Sequence, residues 1–152
     1  MPGPEADRTG PAPHLVAGPP WVVRAARGPG ARAALEIYEG QALLDVMVDT
    51  PVAPRLLRGA RRLDSRRPRR SRAIAWGRLP TDGDAAGRAY GPGSGLAVWF
   101  TRGRLHRRPQ RAGFVWLTAW SWIAVADGSY RHAVVTCHGR RERLGLRRAR
   151  PC

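Results

Sequence analysis

One stretch of the chain is apolar on both faces: FVWLTAWSWIAVA, Phe114–Ala126. Such a segment has to be covered from two sides, so it predicts one or two central strands with the remaining chain arranged around them. It is thirteen residues long and contains Thr118 and Ser121. A helix needs about 18 to 20 apolar residues to cross a bilayer, so no membrane span is expected.

The segments around it alternate with a period of two and break at glycine turns, the pattern of short strands. AIAWGR, Ala73–Arg78, is one such strand. In LAVWFT, Leu96–Thr101, the side chains of Leu96, Val98 and Phe100 share a face. Arg102-Gly103 then turns the chain into RLHRRPQR, where Pro109 has no N–H to give to a ladder and marks an edge strand. After an Asp127-Gly128 turn, YRHAVVTCH and RERLGL flank His138-Gly139-Arg140 as a last hairpin. Six runs of this kind predict a mainly β fold over residues 73–148. The expected form is a small antiparallel sandwich or open barrel behind a long, partly disordered N-terminal region.

The first half is organised by composition more than by pattern. Residues 1–20 hold Pro2, Pro4, Pro11, Pro13, Pro19 and Pro20. That density removes backbone donors, and residues 1–30 are expected to form a disordered Pro/Gly-rich tail. No apolar stretch follows a basic start, so no signal peptide is indicated and the cytoplasm is the expected compartment. In residues 31–50, Leu35 and Ile37 alternate with Glu36, while Leu44, Val46 and Val48 alternate with Asp45 and Met47. This predicts a hairpin turning at Glu39-Gly40, with a short helix over Ala31–Tyr38 as its competitor. Between Arg32 and Arg55 the charge is −4, from Glu36, Glu39, Asp45 and Asp49. Residues 51–72 reverse the sign: Arg55–Arg72 sets nine Arg against Asp64 and has no aromatic residue. A segment with so little to bury is expected to be a solvated linker.

All 27 Lys-plus-Arg positions are Arg, and the chain has no Asn and three Ile. Codons for Lys, Asn and Ile begin with A, so the bias points to a G+C-rich genome and makes the net charge of +16 partly a coding habit. Off-frame translation of such DNA gives a similar composition, but not the ordered alternation of the second half. Within that half, LAVWFTRGRLHRRPQRAGFVWLTAW runs apolar strand, glycine turn, polar edge strand, aromatic strand. Over Leu96–Leu146 the chain resembles small, uncharacterised antiparallel β modules encoded in G+C-rich bacterial genomes. The resemblance implies a fold and carries no catalytic residue with it.

Several chemistries are disfavoured by spacing. The soft-ligand candidates are His132, Cys137, His138 and Cys152, besides His14 and His106. Cys137 and His138 are adjacent, so on a strand they point to opposite faces and cannot chelate one metal, whereas zinc sites present close pairs. Cys137 shares a face with Ala133 and Val135, where a thiol behaves as a small hydrophobe. Asp127, Ser129 and His132 lie close in sequence, but triads are assembled from distant segments and Asp-Gly-Ser is ordinary turn chemistry. GPGSG, Gly91–Gly95, lacks the Lys and the Ser or Thr of a phosphate loop. Of the acids in the second half, Asp82, Asp84, Asp127 and Glu142, the first three sit in turn-like sequence. General acid–base work needs paired carboxylates in a pocket. No enzyme activity, metal or cofactor is expected.

The charge points outward. An arginine fork suits phosphate oxygens, and neutralising phosphates releases counterions. In the basic run the candidate contacts are Arg61, Arg62, Arg66, Arg67, Arg69, Arg70 and Arg72. A second strip holds Arg102, Arg104, Arg107, Arg108 and Arg111 beside Trp99, an aromatic on which a base can stack. The expected function is a non-enzymatic binding module whose arginine-rich surface contacts nucleic acid or another polyanion. The rival is a protein-interaction or structural β module with an aromatic patch exposed to a protein partner. Exposure of Trp116, Trp120 and Trp122 favours the rival, and their burial with Trp99 facing arginines favours nucleic acid. Internal neutralisation of the basic run by Glu36, Glu39, Asp45 and Asp49 would weaken polyanion binding.

Overall fold

Period-two alternation becomes strand in both halves of the chain. The computed structural model describes residues 18–48, 55–67, 70–79, 95–103, 108–118 and 120–149. They divide into two units, Met1–Asp49 and Thr50–Cys152. The fold is mainly β, with antiparallel sheets and no α-helix among the described residues.

In the first unit, β1 (Trp21–Arg27), β2 (Ala33–Glu39) and β3 (Ala42–Val48) form an antiparallel meander in the order β1-β2-β3. The tail expected over residues 1–30 is corrected by β1. Trp21 and Val23 lie on the same face as Leu35 and Ile37, and that shared apolar face favours pairing over disorder. Residues 1–17, on which the rest of that expectation falls, lie outside the described residues. The hairpin prevails over the helix because a two-residue turn at Gly40-Gln41, with Gly40 at φ 59°, brings β3 back onto β2. In β3 the alternation is inverted relative to expectation: Met47 is buried and Val46 exposed. Met47 stands opposite Leu35, and a register shift beside Ile37/Tyr38 carries Leu43 to the other face. Glu39 is also buried, and its carboxylate accepts a hydrogen bond of 3.4 Å from Trp21 Nε1 directly across the strands.

The second unit has two sheets. One has the order β12-β4-β5-β9-β8, from β4 (Gly59–Leu63), β5 (Arg72–Arg78), β8 (Phe114–Trp116), β9 (Ser121–Asp127) and β12 (Arg147–Arg148). The other has the order β11-β10-β6-β7, from β6 (Ala97–Thr101), β7 (Gln110–Ala112), β10 (His132–Cys137) and β11 (Arg140–Gly145). All pairs are antiparallel except β12 with β4. Pro109 immediately precedes β7, which takes an edge. The apolar run supplies β9, covered on both faces, and the edge strand β8. In the β10–β11 turn, His138 and Gly139 both have positive φ, 45° and 78°, as a two-residue turn matched to strand twist requires.

The two sheets share one core. Ala60, Ala73, Ala75, Trp122 and Ala124 face inward from the first, and Val98, Phe100, Ala133, Val135 and Cys137 from the second. Only one residue, Gly113, separates β7 from β8, and only Leu146 separates β11 from β12. The chain therefore crosses between the sheets at both lateral edges, which places the architecture between a sandwich and a closed barrel.

The linker expected over residues 51–72 is also corrected. Leu56, Leu57 and Ala60 are buried, and β4 sits inside the sheet between β12 and β5. Two glycines make this possible. At Gly77 a Cβ would stand 1.7 Å from the Leu56 carbonyl oxygen and 2.8 Å from the Trp122 ring. At Gly59 it would stand 2.1 Å from the Trp76 indole, which lies across it from the paired position. The β unit therefore begins before residue 73. Leu56→Ala is expected to cost about 2–5 kcal/mol, as for other buried leucines, while Arg66→Ala on the exposed turn leaves stability unchanged. Chemical denaturation of the full chain checks both.

Within the run expected to be covered on two sides, Trp116 is only half-buried at the rim of the core, edge-on to Phe114 at 5.5 Å, whereas Trp122 is 0% exposed. Trp116 belongs to the edge strand β8, while Trp122 on β9 points between the sheets. Trp122→Ala should cost about 3–5 kcal/mol and Trp116→Ala clearly less. Equal losses in paired melts would contradict this placement.

Candidate nucleic-acid interface

The fold sorts the arginines singled out in the sequence into different environments. Arg61 and Arg62 lie on β4, half-buried, with their Nε atoms enclosed. Arg62 pairs with Asp64 at 3.6 Å, and Arg148 on β12 donates to the same carboxylate at 2.6 Å. Arg72 pairs with Asp127 at 3.3 Å. These side chains fasten strand ends. Arg66, Arg67 and Arg70 are exposed on the turn between β4 and β5. That turn is held by the Ser65 N–H on Ser71 Oγ (3.0 Å) and the Arg70 N–H on the Arg67 carbonyl (2.8 Å). Arg69, Arg104 and Arg107 lie outside the described residues. Trp99 belongs to β6 and Arg108 is exposed just before β7, both on the other sheet.

On that sheet the register builds a surface. Arg143 stands opposite Val134, Val134 opposite Trp99, and Trp99 opposite Arg111, a single row across β11, β10, β6 and β7. Since residues i and i+2 share a face, Arg141, Thr136 and Thr101 look the same way. Of these, Trp99, Thr101, Val134, Thr136, Arg141 and Arg143 line a groove of about 450 Å³ that also takes in Gly103 and Pro109. Arg111 lies over the Trp99 ring at 5.6 Å from its centroid. Among the described residues, the positions on this outer face carry no carboxylate. Glu142, the acid of β11, points the other way, toward the Leu57 N–H at 3.0 Å.

Arg141 and Arg143 are not among the contacts expected from sequence. Their alternation in RERLGL was legible, but the partners of β11 were not. Their relevance comes from β10 being inserted between β11 and β6. The tryptophans divide as well. Trp122 is core, Trp120 is half-buried with the Arg78 guanidinium over its ring at 4.2 Å, and Trp99 faces arginines.

The groups weighed for catalysis are dispersed. Asp127 is engaged with Arg72, and its carbonyl accepts from the Tyr130 hydroxyl at 3.1 Å. Cys137 is buried among Ala133 and Val135, and burial pushes its thiol above the usual range, partly offset by Arg140. Among the described residues, no three metal-ligating side chains come together. Compared with family models, curated proteins and solved structures, the chain matches none.

His132 lies on the same outer face, two residues along β10 from Val134 of the central row. Its Nδ1 is buried without a hydrogen-bond partner among the described residues. Desolvation, reinforced by Arg143 and Arg131, lowers its pKa below the ordinary 6.5. The unfolded chain therefore takes up a proton at a higher pH than the folded one. Stability from this group is complete above pH 6.5 and declines as pH falls toward the lowered folded value. His132→Asn should flatten that part of the stability–pH curve, measured by denaturant unfolding at stepped pH.

Proposed function

We propose that this protein is a non-enzymatic binding module that holds nucleic acid on the outer face of its four-stranded sheet. One observation carries the reading: an aromatic ring in a groove lined by Arg141 and Arg143, with the Arg111 guanidinium over the ring, on a face that carries no carboxylate among the described residues. Arginine forks bind phosphate oxygens in two-point fashion, and an aromatic floor adds a contact that any base can use. The net charge of +16 supplies long-range attraction, which raises the encounter rate without selecting a sequence. The exposed Arg66, Arg67 and Arg70 extend the basic surface but bring no aromatic, so they strengthen attraction and do not define the site. Against the protein-interaction module, for which a cluster of exposed indoles was the expected mark, stands the burial of Trp122, with Trp116 and Trp120 half-buried.

Binding should be strongly salt-dependent and nearly indifferent to base sequence. Replacing Arg141 and Arg143 by Ala is expected to flatten the plot of log affinity against log salt by about 1.5 to 2 units. Fluorescence anisotropy with labelled DNA and RNA between about 50 and 200 mM salt measures this. Affinity lost only in the Arg66/Arg67/Arg70→Ala protein would move the site to the β4–β5 turn. Absence of binding at low salt for every nucleic acid would end the reading and return the protein-interaction alternative.

A further inference from the structure

The spacing of the groove bears on which form of nucleic acid it takes. We infer that it is selective for single strands, with Trp99 as the platform for one unpaired base and Arg141 and Arg143 as the bank that follows the backbone. This rests on the nucleic-acid reading of the same face and adds the class of ligand.

Two features point the same way, and a third places the backbone. A base in a duplex has both faces covered by its neighbours, so only an unpaired base can offer a face to an indole. Trp99 is half-buried in the floor with one neighbour strand on each side, so contact with its ring requires a flat group to descend between arginines. Second, the Arg111 guanidinium covers the Trp99 ring at 5.6 Å from its centroid, so whatever reaches the indole has to be a thin, flat group that slides beneath or replaces it, which a stacked duplex is not. Third, Arg141 and Arg143 are two residues apart on one strand, about 6.8 Å along its axis. The pair can therefore meet two phosphates of one backbone, which holds the strand whose base stacks on Trp99. Thr101 and Thr136, on either side of the central row, offer hydroxyls that donate or accept and therefore tolerate any base edge.

The Arg111 guanidinium already lies over the indole. A base arriving on Trp99 either displaces it or is sandwiched against it, and a planar guanidinium serves both arrangements. Phe in place of Trp99 keeps a stacking face, whereas Ala removes it. Misfolding of the Ala variant would mimic this loss, and the Phe variant with a matched melting curve separates the two.

The experiment uses the full chain with oligothymidylate and oligouridylate of about ten nucleotides and a duplex of equal length, at one salt concentration, read by anisotropy. Both single strands are expected to bind at least about tenfold tighter than the duplex. Trp99→Ala should lower single-strand affinity about tenfold, as expected for loss of one stacked base. Duplex affinity and the salt slope should stay where they were, and Trp99→Phe should retain most of the affinity. Equal binding of single strand and duplex, or a folded Trp99→Ala protein with unchanged affinity, overturns the inference. If that equal binding still loses salt slope in the Arg141/Arg143→Ala protein, the nucleic-acid reading stands and the single-strand inference alone falls. Failure of every oligonucleotide to bind removes both.

Discussion

Everything in the larger unit depends on Trp122 meeting a floor of small residues. Its ring points between the sheets opposite Gly77, with Ala73, Ala75 and Ala124 along the same inner face. The core sets a few large rings, Trp122, Phe100 and Tyr130, among alanines, with Leu56, Leu57, Leu79, Leu96, Val98 and Val135 filling the space around them. Phe100 and Tyr130 pack at 5.4 Å, and the Tyr130 hydroxyl is held by Gln110 and the Asp127 carbonyl, which joins the β9–β10 connection to β7. Packing of this kind has little slack. Where an alanine touches a ring, an added methylene forces strain of about 1–3 kcal/mol, and at Gly77 there is no space for even a Cβ.

The same packing explains why an arginine-rich composition is compatible with a sheet structure. Arginines at strand ends are neutralised in place, Arg62 and Arg148 by Asp64 and Arg72 by Asp127. Isolated pairs of this kind near the surface contribute little, about 0–1 kcal/mol each. Their effect is to fix where strands stop and to leave other arginines unneutralised. Arg141 and Arg143 on β11 and Arg111 on β7 remain on one outer face, because the alternation of β11 puts Glu142 on the other side, paired with Arg140. The charge left on this outer face is thus decided by which arginines the acids reach, and not by the total charge.

Much of the fold was legible locally. Leu96, Val98 and Phe100 alternate, and all three are buried. Pro109 marks an edge, and β7 is an edge. His138-Gly139 turns tightly between β10 and β11. What was missed shares a cause. β1 and β4 are strands of mixed composition, WVVRAAR and GARRL, whose stability comes from the partner they pair with. GARRL has almost nothing to bury by itself, yet it is held because Leu56 and Leu57 precede it and β5 and β12 flank it. Trp116 and Trp122 sit in one apolar run, and no local signal distinguishes the rim position from the core position. The candidate site was half legible for the same reason: Trp99 and Arg111 stand out near one another in sequence, while Arg141 and Arg143 do not.

The sequence by itself determined that this chain forms strands, where most of them turn, and that it carries excess positive charge. Those are local properties, because side chains alternate across a strand and glycine alone relaxes φ at a turn. Only the tertiary structure decided which strands are neighbours. The row Arg143, Val134, Trp99, Arg111 exists because β10 pairs with both β11 and β6. That choice is set by long-range burial of Ala133, Val135 and Cys137 against the opposite sheet, whose free energy appears only when distant segments have already met.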